Sequence, residues 1–286
     1  MRDATSVQNP LLRRQVTRRE ARVGWLPLNG GELWQYRELL WFYAARDIKV
    51  KYRQTLLGVV WAVLQPILAV AVFSLFLGRL QGISPAGVPY PVYTMCALLP
   101  WQLFAFALTQ SSSSLVQDAD VLRKVYFPRL LLPMASVVAG LVDFVIAFAV
   151  LLAVMAYYGV LRASPALVAL PALIVLVLLS ALAVGILLSA INVKYRDVRH
   201  VMPFLSQLWF FATPVAYSTS LVDDRWRTLY GLNPMVGVIG GFRWALLDQP
   251  PPSLDTMAAS IAATVVLLFV SLLYFRRVEH GFADII

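Results

Sequence analysis

The sequence predicts an all-α, polytopic membrane protein with six transmembrane helices. Three observations predict it. Hydrophobic residues make up 60% of the chain and charged residues 14%, against about 45–50% and about 25% in soluble domains. Six apolar runs approach or exceed the roughly 20 residues that a helix needs to cross a bilayer core. Lys and Arg collect between those runs on one side, as the positive-inside bias requires.

The runs are 56–77, 92–113, 131–157, 167–191, 201–217 and 257–275. The second contains Pro100 and ends at Gln110 and serines 111–114; the fifth contains Pro203 and Pro214. Proline is tolerated in a spanning helix where neighbours satisfy the freed carbonyls. These two runs therefore predict packed helices and not lone anchors. The serines have no base nearby in sequence, and they read as polar capping at a helix end.

Of 24 cations, eleven lie in residues 1–55. Arg123, Lys124 and Arg129 follow the second run, Lys194, Arg196 and Arg199 the fourth, and Arg276 and Arg277 the sixth. Only Arg79, Arg162, Arg225, Arg227 and Arg243 fall on the other side. Six crossings with both termini cytoplasmic fit this split. The net charge of +9 is then a matter of topology, and no nucleic-acid partner is needed. Residues 1–30 are polar and basic with no apolar signal core, and 1–31 read as a flexible basic arm.

Residues 32–54, ELWQYRELLWFYAARDIKVKYRQ, read as an amphipathic interface helix. On a helical wheel Gln35, Glu38, Arg46, Lys49 and Arg53 share one side. Leu33, Tyr36, Leu40, Ala44 and Ile48 lie opposite, with Trp34, Trp41 and Phe42 between. A basic, aromatic helix of this kind suits the membrane surface. The six-helix transmembrane domain then covers 55–286.

Residues 229–247 look apolar enough for a seventh span. Asn233-Pro234 breaks the helix, Gly237, Gly240 and Gly241 loosen it, and Arg243 would sit in lipid. A seventh crossing would also place the basic tail outside. The stretch reads as an external re-entrant or interfacial pair of short helices between spans five and six. Irregular backbone at that depth needs protein or a wet cavity around it.

Cys96 is the single cysteine, and His200 and His280 are far apart, so no metal site is expected. Asp143 is the only acid well inside a run. Unpaired in lipid it would cost several kcal/mol. It is expected to face protein or water, as part of a polar conduit or as a hydrogen-bonded helix contact. Gln65-Pro66 gives the first run a kink with an amide beside it, able to line a polar path or seal a helix interface.

Three stretches carry a family likeness. RDIKVKYRQTLLGVVWAVLQP (46–66), INVKYRDVRHVMPFLSQLWFFATPVAYS (191–218) and LNPMVGVIGGFRWALL (232–247) together resemble the permease subunit of type-2 ABC exporters. The branch they resemble exports O-antigen, capsular polysaccharide or teichoic acid. The likeness covers about 32–286.

The resemblance implies a homodimer in the bacterial cytoplasmic (inner) membrane, bound to two copies of a separate ATPase. ATP and magnesium would belong to that partner, with no cofactor in this chain. No G-x-x-x-x-G-K-[ST] phosphate loop occurs in the sequence, in keeping with this. The implied cargo is a polyprenyl-linked glycan.

The likeness also gives roles to residues. Asp118, Asp120, Arg123, Lys124 and Tyr126 lie where the family places the coupling helix that docks on the ATPase. Arg196 and Asp197 form a second candidate contact. Arg46, Lys49, Lys51 and Arg53 are candidates for the anchor's phosphate, or else they hold acidic lipid. Trp61, Gln65, Phe73, Trp101, Phe104, Asp143 and Tyr217 are candidate conduit-lining residues, with Trp101 and Tyr217 at its outer rim. Sugar rings stack on aromatic faces; each aromatic also suits ordinary membrane packing. Other readings are an exporter of drugs, lipids or small amphiphiles, a membrane-embedded transferase acting on polyprenyl-linked substrates, and a proton-driven transporter using Asp143. A transferase should cluster acids or a His at one membrane face, and this chain disperses them.

Overall fold

The computed structural model describes residues 30–53, 58–78, 87–162, 164–195, 197–219, 223–279 and 281–282. Nearly all of the predicted basic arm, and Arg196, lie outside the described residues. Every regular element among the described residues is helical. α1 covers Gly30–Gln35 and α2 Arg37–Arg53. α3, Gly58–Phe73, passes into a π-helical turn at Ser74–Gly78. α4 is Tyr90–Gln117, α5 Ala119–Lys124 and α6 Leu131–Tyr157. A 3-10 turn at Pro165–Ala169 leads into α7, Leu170–Lys194. α8 is Val198–Phe211, α9 Asp224–Tyr230, α10 Pro234–Leu247 and α11 Leu254–Glu279.

Four helices are long and apolar enough to cross a membrane: α4, α6, α7 with its leading 3-10 turn, and α11. They coincide with the second, third, fourth and sixth predicted runs. The first run forms α3 and its π turn, with Pro66 buried inside the helix and Gln65 exposed. The fifth run differs from expectation. Its helix stops at Phe211 instead of continuing to 217. Pro214 has no N–H to give, and Thr213 Oγ1 turns back to donate to Trp209 O at 2.7 Å. Residues 212–217 form an irregular turn.

α4 is the central helix. Its most apolar stretch is 78% buried within the molecule, against 28–33% for the other three long helices. It packs on α6 and α7, and α7 packs on α11. Between apolar helices in lipid there is little hydrophobic drive, so close backbone approach and interhelical hydrogen bonds carry association. Gly185 of α7 supplies the close approach: a Cβ there would stand 2.5 Å from Ser111 Oγ. Asn192 Nδ2 donates to Ser112 O at 3.0 Å, and the Ser180 and Thr264 hydroxyls meet at 3.0 Å. Serines 111–114 are therefore not caps. The helix runs on to Gln117, and Ser112 and Ser114 return their hydroxyls to the backbone one turn earlier.

Leu115, Leu131, Val193 and Phe275 share one core cluster with Tyr43, Phe127 and Phe282. The C-terminal ends of α4, α7 and α11 and the start of α6 thus gather at one end. Lys124, Arg129, Lys194, Arg276 and Arg277 belong to this basic end. Arg129 Nη1 donates to the Glu279 carbonyl there.

The predicted 32–54 helix is broken at Tyr36 into α1 and α2. Of its expected apolar side, Leu33, Tyr36, Leu40 and Ala44 pack inward but Ile48 does not join them, while Tyr43, outside that side, does. Tyr43 and Ala44 are buried, and Leu33, Tyr36 and Leu40 lean on the same cluster. Trp34, Trp41 and Phe42 are exposed at 70%, 64% and 65%. α2 lies along α6.

Candidate functional site

Three groupings of the predicted residues are on view. The first is at the basic end. Asp118 ends α4 and begins α5, but its carboxylate caps neither helix. It accepts instead from Arg46, with Nη1 on Oδ1 at 2.6 Å and Nη2 on Oδ2 at 2.7 Å. Arg46 Nε and Nη2 also donate to Asp47 Oδ1, at 3.0 and 2.8 Å. Its guanidinium lies 4.8 Å from the Tyr43 ring centre. The bond to Asp118 holds Arg46 in its charged form above the ordinary range; partial burial opposes this and Asp47 adds to it. Most donors of Arg46 are thus committed within the chain.

Beyond Asp118 the chain forms the expected short helix, with Asp120 in its first turn and Arg123 and Lys124 in its last. That order suits the helix dipole. Asp120, Arg123, Lys124 and Tyr126 are all exposed, Tyr126 by 74%. Phe127 is buried against Tyr43, their rings 5.7 Å apart. The segment is thus fixed to α2 at both flanks and presents its middle outward. Asp197 precedes α8 and is exposed, as are Lys194 and Tyr195.

The second grouping surrounds Asp143. Asp143 Oδ2 accepts from Lys51 Nζ, and Oδ1 accepts from Tyr52 OH. The cation that pairs with Asp143 comes from α2, not from another span. Lys51 Nζ also lies 4.2 Å from the Phe106 ring centre. Burial pushes the Tyr52 phenol above its ordinary range, and the bond to the Asp143 carboxylate pushes it further. The four candidate phosphate ligands therefore divide. Arg46 and Lys51 pair with acids of the chain, while Lys49 and Arg53 are exposed.

The third grouping is aromatic. Trp101 and Phe104 are buried inside α4, away from either helix end. Trp101 meets Phe104 and Phe210, each at 5.5 Å, and Phe104 meets Trp209 at 5.0 Å. Phe73 of α3 joins Phe210 at 5.9 Å. α3 and α8 are thereby joined through aromatic rings. Trp61 and Gln65 stay exposed on α3; Phe204, Gln207 and Phe211 are exposed on α8. Tyr217 OH shares a 2.7 Å bond with Tyr230 OH.

A model of the family described as ABC-2 type transporter matches residues 38–247. The chain belongs to the ABC-2 type transporter family. It is 33% identical over 256 residues to an O-antigen export system permease protein RfbA of Myxococcus xanthus, a match covering 88% of this chain and 97% of that relative. Two proteins of the same description from Klebsiella pneumoniae are 24% identical over 250 residues, covering 87% of this chain and 95% of theirs. Family membership makes this ABC-2 chain a multi-pass membrane subunit of a transporter and not an enzyme. Among the described residues, no group of three or more His, Cys, Asp and Glu side chains is placed to hold a metal.

Asn233 is the structural tie between α8 and α10 that the sequence understated. Its Oδ1 accepts from Met235 N at 3.1 Å, capping α10, and from Trp209 Nε1 at 3.0 Å. Its Nδ2 donates to Thr213 Oγ1 at 2.9 Å and to Ala212 O at 3.2 Å. Asn-Pro is a helix-start signature, so the cap was legible; the reach back to α8 was not.

Proposed function

We propose that this ABC-2 chain is the membrane subunit of an ATP-driven exporter of a lipid-linked polysaccharide. The observation that carries the cargo is the match, over nearly its whole length, to O-antigen export permeases. The exposed helix α5, tied to α2 by Arg46, supports docking on a separate ATPase. ATP and magnesium belong to that ATPase. Two copies of each subunit form the exporter in the bacterial cytoplasmic membrane. The basic end, with both termini, faces the cytoplasm. α3 and α8 complete six crossings, α2 rides at the cytoplasmic interface, and α9–α10 form the external re-entrant pair.

Coupling passes through Asp120, Arg123, Lys124 and Tyr126, with Asp197 and Arg196 as a second contact. Lys49 and Arg53 meet the anchor's phosphate. Trp61 and Gln65, with Phe204, Gln207 and Phe211, form the conduit wall between the two copies. Gln65 and Gln207 favour this assignment, because an exposed amide at membrane depth needs water or protein beside it.

Deletion of the chain is expected to leave lipid-linked glycan in the cytoplasmic leaflet. Arg123→Glu is expected to abolish co-purification with the ATPase and its stimulation. Normal glycan export after deletion would overturn the assignment, and intact ATPase stimulation in Arg123→Glu would overturn the docking role of α5.

A further inference from the structure

The turn that ends α8 is held mostly by side chains outside it. Five successive or near-successive carbonyls accept from side chains. Phe211 O accepts from Tyr217 OH at 3.1 Å, and Ala212 O from Asn233 Nδ2 at 3.2 Å. Val215 O accepts from Arg243 Nη2 at 2.9 Å, Ala216 O from Tyr90 OH at 3.0 Å, and Tyr217 O from Arg243 Nη1 at 3.2 Å. A non-helical turn in an apolar bundle needs such donors, because no lipid can supply them.

Arg243 stands at the centre of this network. It is 4% exposed, and its guanidinium carbon is 3.8 Å from the Tyr93 ring centre. Among the described residues no carboxylate pairs with it. A buried charge compensated only by carbonyl dipoles and a ring face is costly. Apolar side chains of similar volume commonly fill such places with equal or better stability. Packing alone therefore does not account for an arginine here. What it supplies is a rigid, planar fork reaching two carbonyls of one turn at once.

We propose that Arg243 is a positioning residue for export: it fixes the 212–217 turn to α4 and α10 and so sets the outer end of α8. This rests on the assignment of α8 to the conduit wall. Phe211, 64% exposed at the last position of that helix, is where a loosened turn is felt.

The test uses the full chain with its ATPase, carrying Phe211→Cys as a reporter. Cys96 is fully buried, so background labelling is low. A membrane-impermeant maleimide is applied from outside. In Arg243→Met, labelling is expected to rise and export to fall, each by about tenfold, the scale of a lost bond to a charged donor. Arg243→Lys keeps the charge but cannot form the fork, and both readouts are expected to stay at least about threefold from the parent. Parental labelling and export in Arg243→Met overturn the proposal, as do parental labelling and export in Arg243→Lys. Should Arg243→Met fail to accumulate, Tyr90→Phe decides, since it removes only the bond to Ala216 O. It is expected to raise labelling about threefold, and unchanged labelling overturns the proposal. The labelling arm needs no cargo. Its failure is thus distinct from failure of the polysaccharide reading, which shows as normal export without the chain.

Discussion

Arg46 and Asp118 meet fork to fork across 72 residues of chain, through bonds of 2.6 and 2.7 Å. This joins α2 to the hinge between α4 and α5. A bidentate, charge-assisted pair is stronger than a point contact, although partial exposure weakens any surface ion pair. Arg46→Ala is expected to destabilise the purified subunit by about 1–2 kcal/mol. Arg46→Lys should do nearly the same, because an ammonium cannot form the fork. Thermal unfolding in detergent measures both; a silent Arg46→Lys would show that charge alone is at work.

Asp143 fastens the other end of α2 through Lys51 and Tyr52. Asp143→Asn keeps the shape and an acceptor for Tyr52 but loses the ion pair. A loss of about 1 kcal/mol is expected. The Lys51→Met, Asp143→Asn double variant should lose less than the sum of its parts. Export should persist and stay dependent on ATP. Abolished export with intact assembly and ATPase turnover would instead give Asp143 a direct part in transport.

Gly185 and Ser111 set the spacing of α4 and α7. A Cβ at 185 would lie 2.5 Å from Ser111 Oγ and 2.7 Å from its Cβ. Gly185→Ala is expected to cost about 1–3 kcal/mol through overpacking. Ser111→Gly should recover most of that loss, and Ser111→Ala little, since it keeps the offending carbon. Melting of the three variants side by side gives the answer.

Asn233 separates into an acceptor and a donor. Asn233→Ala removes both and is expected to cost about 2–4 kcal/mol, a cap plus buried hydrogen bonds. Asn233→Asp keeps the acceptor for Met235 N and Trp209 Nε1, and loses the donor to Ala212 O and Thr213 Oγ1. It should fall between wild type and Asn233→Ala in thermal stability. Equal melting of the two variants would mean that the donor bonds to Ala212 O and Thr213 Oγ1 carry the whole effect.

Much of the fold was legible because it follows from local patterns. Runs of apolar residues gave the four long helices within a few residues, and the wheel of 32–54 turned Leu40 and Ala44 inward while missing Tyr43. Asn233-Pro234 marked the start of α10. What escaped was set by distant partners. Nothing near Asp143 in sequence points to Lys51, and nothing near Pro214 announces that Tyr90 and Arg243 will hold the turn beyond Phe211. Serines 111–114 misled because their local chemistry suits a cap, while the tight contact with Gly185 continues the helix past them. Trp101 looked like a rim residue from its expected place at the external end of its span, yet it lies buried inside α4 against Phe104 and Phe210.

The shortness of α8 has a consequence for how the chain is made. Its fourteen residues reach only about 21 Å as a helix, less than a bilayer core of about 30 Å. The groups that satisfy its far end, Asn233 and Arg243, leave the ribosome later than α8 itself. A nascent chain arrested before residue 243 should hold this segment loosely at the insertion machinery, and a chain released beyond it should seat the segment firmly.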